Sequence, residues 1–209
     1  MAIKLLSVRN DIEKRFEDIQ VMIDIIEKNK RVDFQLVLKS SLILMLYNAL
    51  EGTMSNLLTE LFDNITSKKI SIENLPENLQ ETIYKFHLKK IGDQVEKLRT
   101  FNNYNGIEIC NVSYLEINKY LKLFSGNLDS RSIKKLSLKL GVALSVKVDE
   151  PALLKVKNIR NKLAHGETKF SNTCQDITLD ESKDLCNKVK KYLGNVIDQY
   201  EVFLNKIQP

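Results

Sequence analysis

The six residues Leu42 to Tyr47 are apolar on every side of a helix, and only a position at the centre of a core can accept such a segment. The run is far too short to span a bilayer, which takes about 20 apolar residues. It lies inside a longer helical pattern from about Phe34 to Ile65, so it reads as a spine onto which the rest of the chain packs. Other segments supply the matching faces. Ile12, Phe16, Ile19, Ile23 and Ile26 recur at helical spacing between about Ser7 and Glu27. After Leu75-Pro76-Glu77, a third pattern carries Leu79, Ile83, Phe86, Ile91, Val95 and Leu98 as far as about Arg99. A terminal one carries Leu185, Val189, Tyr192, Val196 and Tyr200 behind the capping box Thr178-Leu179-Asp180-Glu181. Strand-helix alternation, internal repeats and Gly-rich phosphate loops are missing. The chain is expected to be an all-α helical bundle forming one domain over residues 1–209.

The segments between these helices read less sharply. Asn102 to Val112 carries Asn, Gly and alternating Ile, which predicts a loop with room for an extended piece at Ile107 to Ile109. A short helix is expected over Leu115 to Phe124, then a break at Ser125-Gly126-Asn127. Asp129-Ser130 caps a further helix through Leu140, which Gly141 closes. The basic residues of that helix, Arg131, Lys134, Lys135 and Lys139, read first as a solvated face and second as a docking surface for phosphates. Thr168 to Asp176 is polar and β-branched, as in a connecting loop or short extended segment.

A chain of 209 residues with 43% hydrophobic content suits a single core better than two. Its net charge of +5 and pI near 8.9 permit an anionic partner without demanding one. The 3 cysteines, Cys110, Cys174 and Cys186, are odd in number and widely spaced, so neither a disulfide framework nor a zinc site is expected. With no secretory leader or spanning run, a reducing cytoplasm and no membrane partner are expected.

One helix concentrates the chemistry. Asp149-Glu150-Pro151 supplies its start signals and Gly166 its stop. Ala152, Val156, Ile159 and Leu163 fall on one stripe, while Asn158, Asn161 and His165 fall on the opposite side. Arg160 projects between the two, well away in azimuth from His165. Either the last turn unwinds before Gly166, or Arg160 and His165 meet across two copies of the helix. The other histidine, His87, sits between Phe86 and Lys89-Lys90 and reads as a boundary residue. Within the spine, Glu51 interrupts an apolar surface, so it needs a partner or a proton. It reads equally as a group orienting Arg160 or His165 and as a structural ion pair.

Arg160, four intervening residues and His165, with the polar Asn161 directly after the arginine, resemble the R-x(4-6)-H motif of the HEPN superfamily. Leu46-Tyr47-Asn48-Ala49-Leu50-Glu51-Gly52-Thr53 and Leu123 to Arg131 extend the likeness, which resembles the bacterial MAE-type HEPN nucleases over nearly the whole chain. The resemblance implies a HEPN-type bundle and an endoribonuclease in which His165 exchanges a proton, Arg160 steadies phosphate charge and Asn161 assists. Asn48 and Glu51 would support this site, and Lys157, Lys162 and Lys169 would enrich the field that holds RNA. No metal or other cofactor is expected, because no carboxylate pair or His/Cys cluster stands near the motif. Attack by the ribose 2′-hydroxyl would then leave a 2′,3′-cyclic phosphate and a 5′-hydroxyl. The likeness further implies a homodimer, a toxin or antiphage role, and a cognate antitoxin or regulatory protein. Some HEPN toxins carry a tyrosine two residues after the histidine, where a nucleotidyltransferase acts. Here that position is Glu167, so control by that route is not expected. The alternative is a non-catalytic helical module binding RNA, a nucleotide or a protein.

Overall fold

The computed structural model describes residues 5–91, 112–124, 126–145 and 150–207. Among the described residues the chain is all-α, with eight α-helices and no strand. The spine is α2 (Val32–Ser67), and it buries an almost unbroken set from Leu42 to Ile65 that includes Leu46, Tyr47, Leu50, Met54, Leu58 and Phe62. A helix so apolar must be covered on several sides, and it is. Helix α1 (Leu6–Lys28) lays Val8, Ile12, Phe16, Ile19, Ile23 and Ile26 toward the core, and Arg9 clips it to the C-terminal helix by pairing with Glu201 at 2.8 Å and Asp198 at 2.5 Å. That last helix, α8 (Leu179–Lys206), starts on the expected capping box, in which Thr178 and Glu181 satisfy each other's backbone N–H groups. Its buried Tyr200 hydroxyl shares a hydrogen bond with Ser137 at 2.9 Å.

The middle of the chain builds the flank that carries the site. Helix α3 (Glu77–Ile91) follows Pro76, α4 (Tyr114–Leu121) is capped by Ser113, and α5 (Ser130–Lys139) by Asp129. The α4 helix stops three residues earlier than its pattern suggests, because Lys122 turns left-handed at φ 46° and the Asn118 side chain accepts the Leu123 N–H. Helix α6 (Glu150–Ala164) buries only Ala152, Leu153 and Val156 and lies between α2, α5 and α8. The segment expected as a loop or extended piece contains a single helical turn, α7 (Phe170–Thr173). Thr173 explains the difference, since its backbone N–H and its hydroxyl both donate to Lys169 O, satisfying locally what a strand would need a neighbour for. Ser40 ties this turn to the spine by donating to Phe170 O at 2.7 Å.

The extended piece expected at Ile107 to Ile109, the end of the third helical pattern beyond Ile91, Cys110 and the Asp149 cap lie outside the described residues. Cys174 and Cys186 are buried free thiols. No helix among the described residues is long and apolar enough to cross a membrane.

Candidate active site

Three pieces of chain converge where α2, the turn before α5 and the end of α6 meet. Tyr47 is the junction. Its hydroxyl accepts the buried Leu128 N–H at 2.8 Å, which pins the turn Gly126-Asn127-Leu128 against the spine. On the face of its ring lies Arg160, with the guanidinium carbon 4.6 Å from the ring centroid. Arg160 Nη1 then donates to Asn161 Oδ1 at 3.1 Å, and Asn161 Nδ2 donates to Asn127 Oδ1 at 3.1 Å. The aromatic face and the amide relay fix the guanidinium, and no described carboxylate forms an ion pair with it. One turn earlier on α6, Lys157 pairs with Asp129 at 2.5 Å, and that same carboxylate caps α5.

Gly126 explains how the turn fits so closely. It takes φ +57°, a conformation that favours glycine, and a β-carbon there would lie 3.6 Å from both Arg160 Nη2 and Glu51 Oε1. Arg160 and Glu51 thus flank one glycine without touching each other. Glu51 Oε1 is buried and has no hydrogen-bond partner among the described residues. Burial pushes the Tyr47 phenol up to about 12; the Leu128 N–H works against that rise, the Glu51 charge adds to it, and Arg160 opposes it. At Asp129 burial also disfavours the charged form, but hydrogen bonds from Lys157 and Ser132 outweigh it and hold the carboxyl below its usual range. Gly52, next to Glu51, is where α1 crosses. The Arg15 guanidinium carbon sits 2.7 Å from the place a β-carbon would occupy, and its Nε is held by Asp11 at 2.7 Å.

The end of α6 stays helical. His165 N–H donates to Asn161 O at 2.9 Å, and Gly166 at φ +67° lets the Gly166 and Glu167 N–H groups return to Leu163 O and Lys162 O. The last turn therefore does not unwind, and of the two routes for joining Arg160 to His165 the local one is closed. Five residues of regular helix separate them by about 140° in azimuth and about 7.5 Å along the axis. Arg160 lies inward against Tyr47, whereas His165 is exposed and hydrogen-bonds to no described side chain.

The structure thus brings Arg160, Asn161 and Glu51 together and leaves His165 apart from them. Asn161 spends its amide on Arg160 and Asn127 rather than on the imidazole. Lys157 is half-buried against Asp129, so its charge is largely neutralised, while Lys162 and Lys169 are exposed without ion pairs among the described residues. Asn48 is exposed on α2. His87 is half-buried on α3, with its pKa lowered first by burial and then by Lys90. Sequence reasoning missed the roles of Tyr47 and Asn127 and, although it read Asp129 as a helix cap, missed its pairing with Lys157. The spacing of Tyr47 four residues before Glu51 was the available signal, since it sets both on one face of α2.

A family model for MAE_28990-like HEPN proteins matches residues 5–208. The chain belongs to this HEPN family. No curated protein and no solved structure matches it. The match covers the spine, the turn at Gly126 and the end of α6, so all the groups described above lie within the HEPN region. Among the described residues, no three His, Cys, Asp or Glu side chains gather as metal ligands do.

Proposed function

We propose that this HEPN protein is a metal-independent endoribonuclease whose working site pairs Arg160 of one copy with His165 of a second. The observation that supports it most is a guanidinium held by Tyr47 and Asn161 yet left without an ion pair among the described residues, near a helix end that presents an exposed imidazole. Arginine fixed in this way is ready to fork onto phosphate oxygens. An exposed imidazole can exchange protons with a sugar hydroxyl. In the reaction, His165 takes the proton of the ribose 2′-hydroxyl and the 2′ oxygen bonds to the adjacent phosphorus. The bond to the 5′ oxygen breaks, and that oxygen takes up a proton from solvent. Arg160 offsets the charge that gathers on the phosphoryl oxygens. The products are a 2′,3′-cyclic phosphate and a 5′-hydroxyl. Such an activity fits a toxin or antiphage effector of the cytoplasm, restrained by a cognate antitoxin or regulatory protein.

The test is cleavage of single-stranded RNA in excess EDTA, with the ends identified by mass spectrometry. Wild type should yield cyclic-phosphate ends, and 2′-O-methyl RNA should resist. Arg160→Ala and His165→Ala should each be inactive, but mixing them should restore about a quarter of the activity. Half of the re-formed dimers are mixed, and each of those holds one complete pair. Wild type that binds RNA without cutting it would leave the binding-module reading in place. Cleavage that leaves 5′-phosphates, or that needs added magnesium, would refute the mechanism.

A further inference from the structure

A basic groove lies on the side of α5 away from α6, and nothing in the reaction above uses it. It encloses about 400 Å³ between α3, the end of α4 and α5. Its floor is apolar, from Leu121, Leu123 and Leu138, and its rim carries Lys135 and Lys139. The walls are fixed to each other: Thr82 donates its hydroxyl to Lys139 O at 2.9 Å, and Asn78 donates its amide to Leu138 O at 2.9 Å.

The cations of α5 divide by azimuth. Lys134 faces α6 and is neutralised by Glu150. Arg131, Lys135 and Lys139 follow one another at four-residue spacing, about 6 Å apart along the axis. All three are exposed and none forms an ion pair with a described residue, but only Lys135 and Lys139 line the groove, while Arg131 lies within the field of Glu150. The acid that lines the groove, Glu81, is already answered by Lys85 at 2.8 Å. The charge left over is therefore entirely positive, which asks for a ligand with regularly repeated negative charge. Leu123, on its floor, is three residues before Gly126 in the chain, and Asn127 of that turn bonds to Asn161.

We propose that this groove is an RNA-binding track, in which Lys135 and Lys139 hold the phosphates of single-stranded RNA leading away from Arg160. The inference rests on the ribonuclease reading and extends it to how the substrate is held. Sugars and base faces would lie on the leucine floor while the phosphates face the cationic rim.

The experiment measures binding, so it does not depend on cleavage. In the His165→Ala background, a fluorescent oligouridylate dodecamer is titrated by anisotropy across a range of potassium chloride concentrations. Removing one cation that pairs with a phosphate should reduce the slope of log K against log salt by about 0.7. Lys135→Ala with Lys139→Ala should therefore lower it by about 1.4, whereas Lys28→Ala with Lys30→Ala, which removes the same charge from the end of α1, should leave it unchanged. Equal slopes for the groove variant and its parent would overturn the track, as would an equal loss from the α1 variant. An RNA that binds with the expected slopes but is never cut by wild type would instead remove the ribonuclease reading and leave the track standing.

Discussion

Replacing Tyr47 with Phe tests the junction with the smallest change available, since it deletes one oxygen and keeps the ring under Arg160. At neutral pH the Leu128 N–H, buried and previously paired at 2.8 Å, loses its acceptor. A buried donor left unpaired costs about 1–3 kcal/mol, so urea unfolding at pH 7 should show a loss in that range. Alkaline pH gives a second, independent reading. The Tyr47 phenol titrates near 10.0 when unfolded and is raised to about 12 in the fold, chiefly by burial. Because the folded pKa is raised, the neutral phenol's contribution is complete below pH 10 and is lost as pH rises toward 12. By pH 11 wild type should have lost about 1.4 kcal/mol that the Phe variant never had, so the gap between the two must narrow. Ionisation of lysines and of the other tyrosines affects both proteins equally and cancels in the difference. Stability curves that stay parallel from pH 8 to pH 11 would refute the placement of Tyr47, whatever the size of the gap at neutrality.

Asp129→Ala removes the α5 cap and strands Lys157, so it should cost about 2–3 kcal/mol and lower the melting temperature by about 5–10 °C. Asp129 is held below its unfolded value of 3.8, so its stabilisation is present above that pH and lost as pH falls through the folded pKa; the variant should have a flatter acid limb, and an unchanged one would count against the pair. Gly141→Ala and Gly166→Ala both place a β-carbon at positive φ and should each cost about 1 kcal/mol in strain. Gly166 has open space around it, whereas at Gly141 the new carbon would sit 2.8 Å from Pro76 Cβ, adding about 1–3 kcal/mol. Equal melting temperatures for the two would contradict this.

Long-period patterns made most of the fold legible. The apolar run from Leu42 to Tyr47 marks a helix that has to be central, and the Thr178–Glu181 box marks the start of α8 where the structure has it. Thr168 to Asp176 read as a connecting loop or short extended segment, and the one helical turn inside it escaped notice because the Thr173 hydroxyl closing on Lys169 O is a local bond that composition does not encode. The candidate site was legible only in outline. Arg160, Asn161 and Glu51 stand out as polar residues in apolar or helical settings. The groups that hold Arg160 come from 113 residues away at Tyr47 and 33 away at Asn127, and no spacing rule links such positions. Lys157 was misleading for the same reason, since its partner Asp129 belongs to another element and turns an apparent free cation into a structural pair.

What holds Arg160 also bears on how the site can be completed. Swinging the guanidinium round α6 toward its own His165 would break the stack on Tyr47, worth about 0.5–2 kcal/mol, and the bond to Asn161, worth about 1 kcal/mol. Together these come to about 2 kcal/mol, which would make the swung state a roughly thirtyfold minority before any substrate is bound. Unwinding the last turn would cost more, because the N–H groups of His165, Gly166 and Glu167 would all lose their carbonyl partners. A second copy carries neither cost. In a two-fold pair the exposed His165 of one copy would have to meet the partly exposed side of the other copy's Arg160, whose guanidinium is already fixed in place. The same interactions that keep Arg160 away from its own histidine would hold it ready for another.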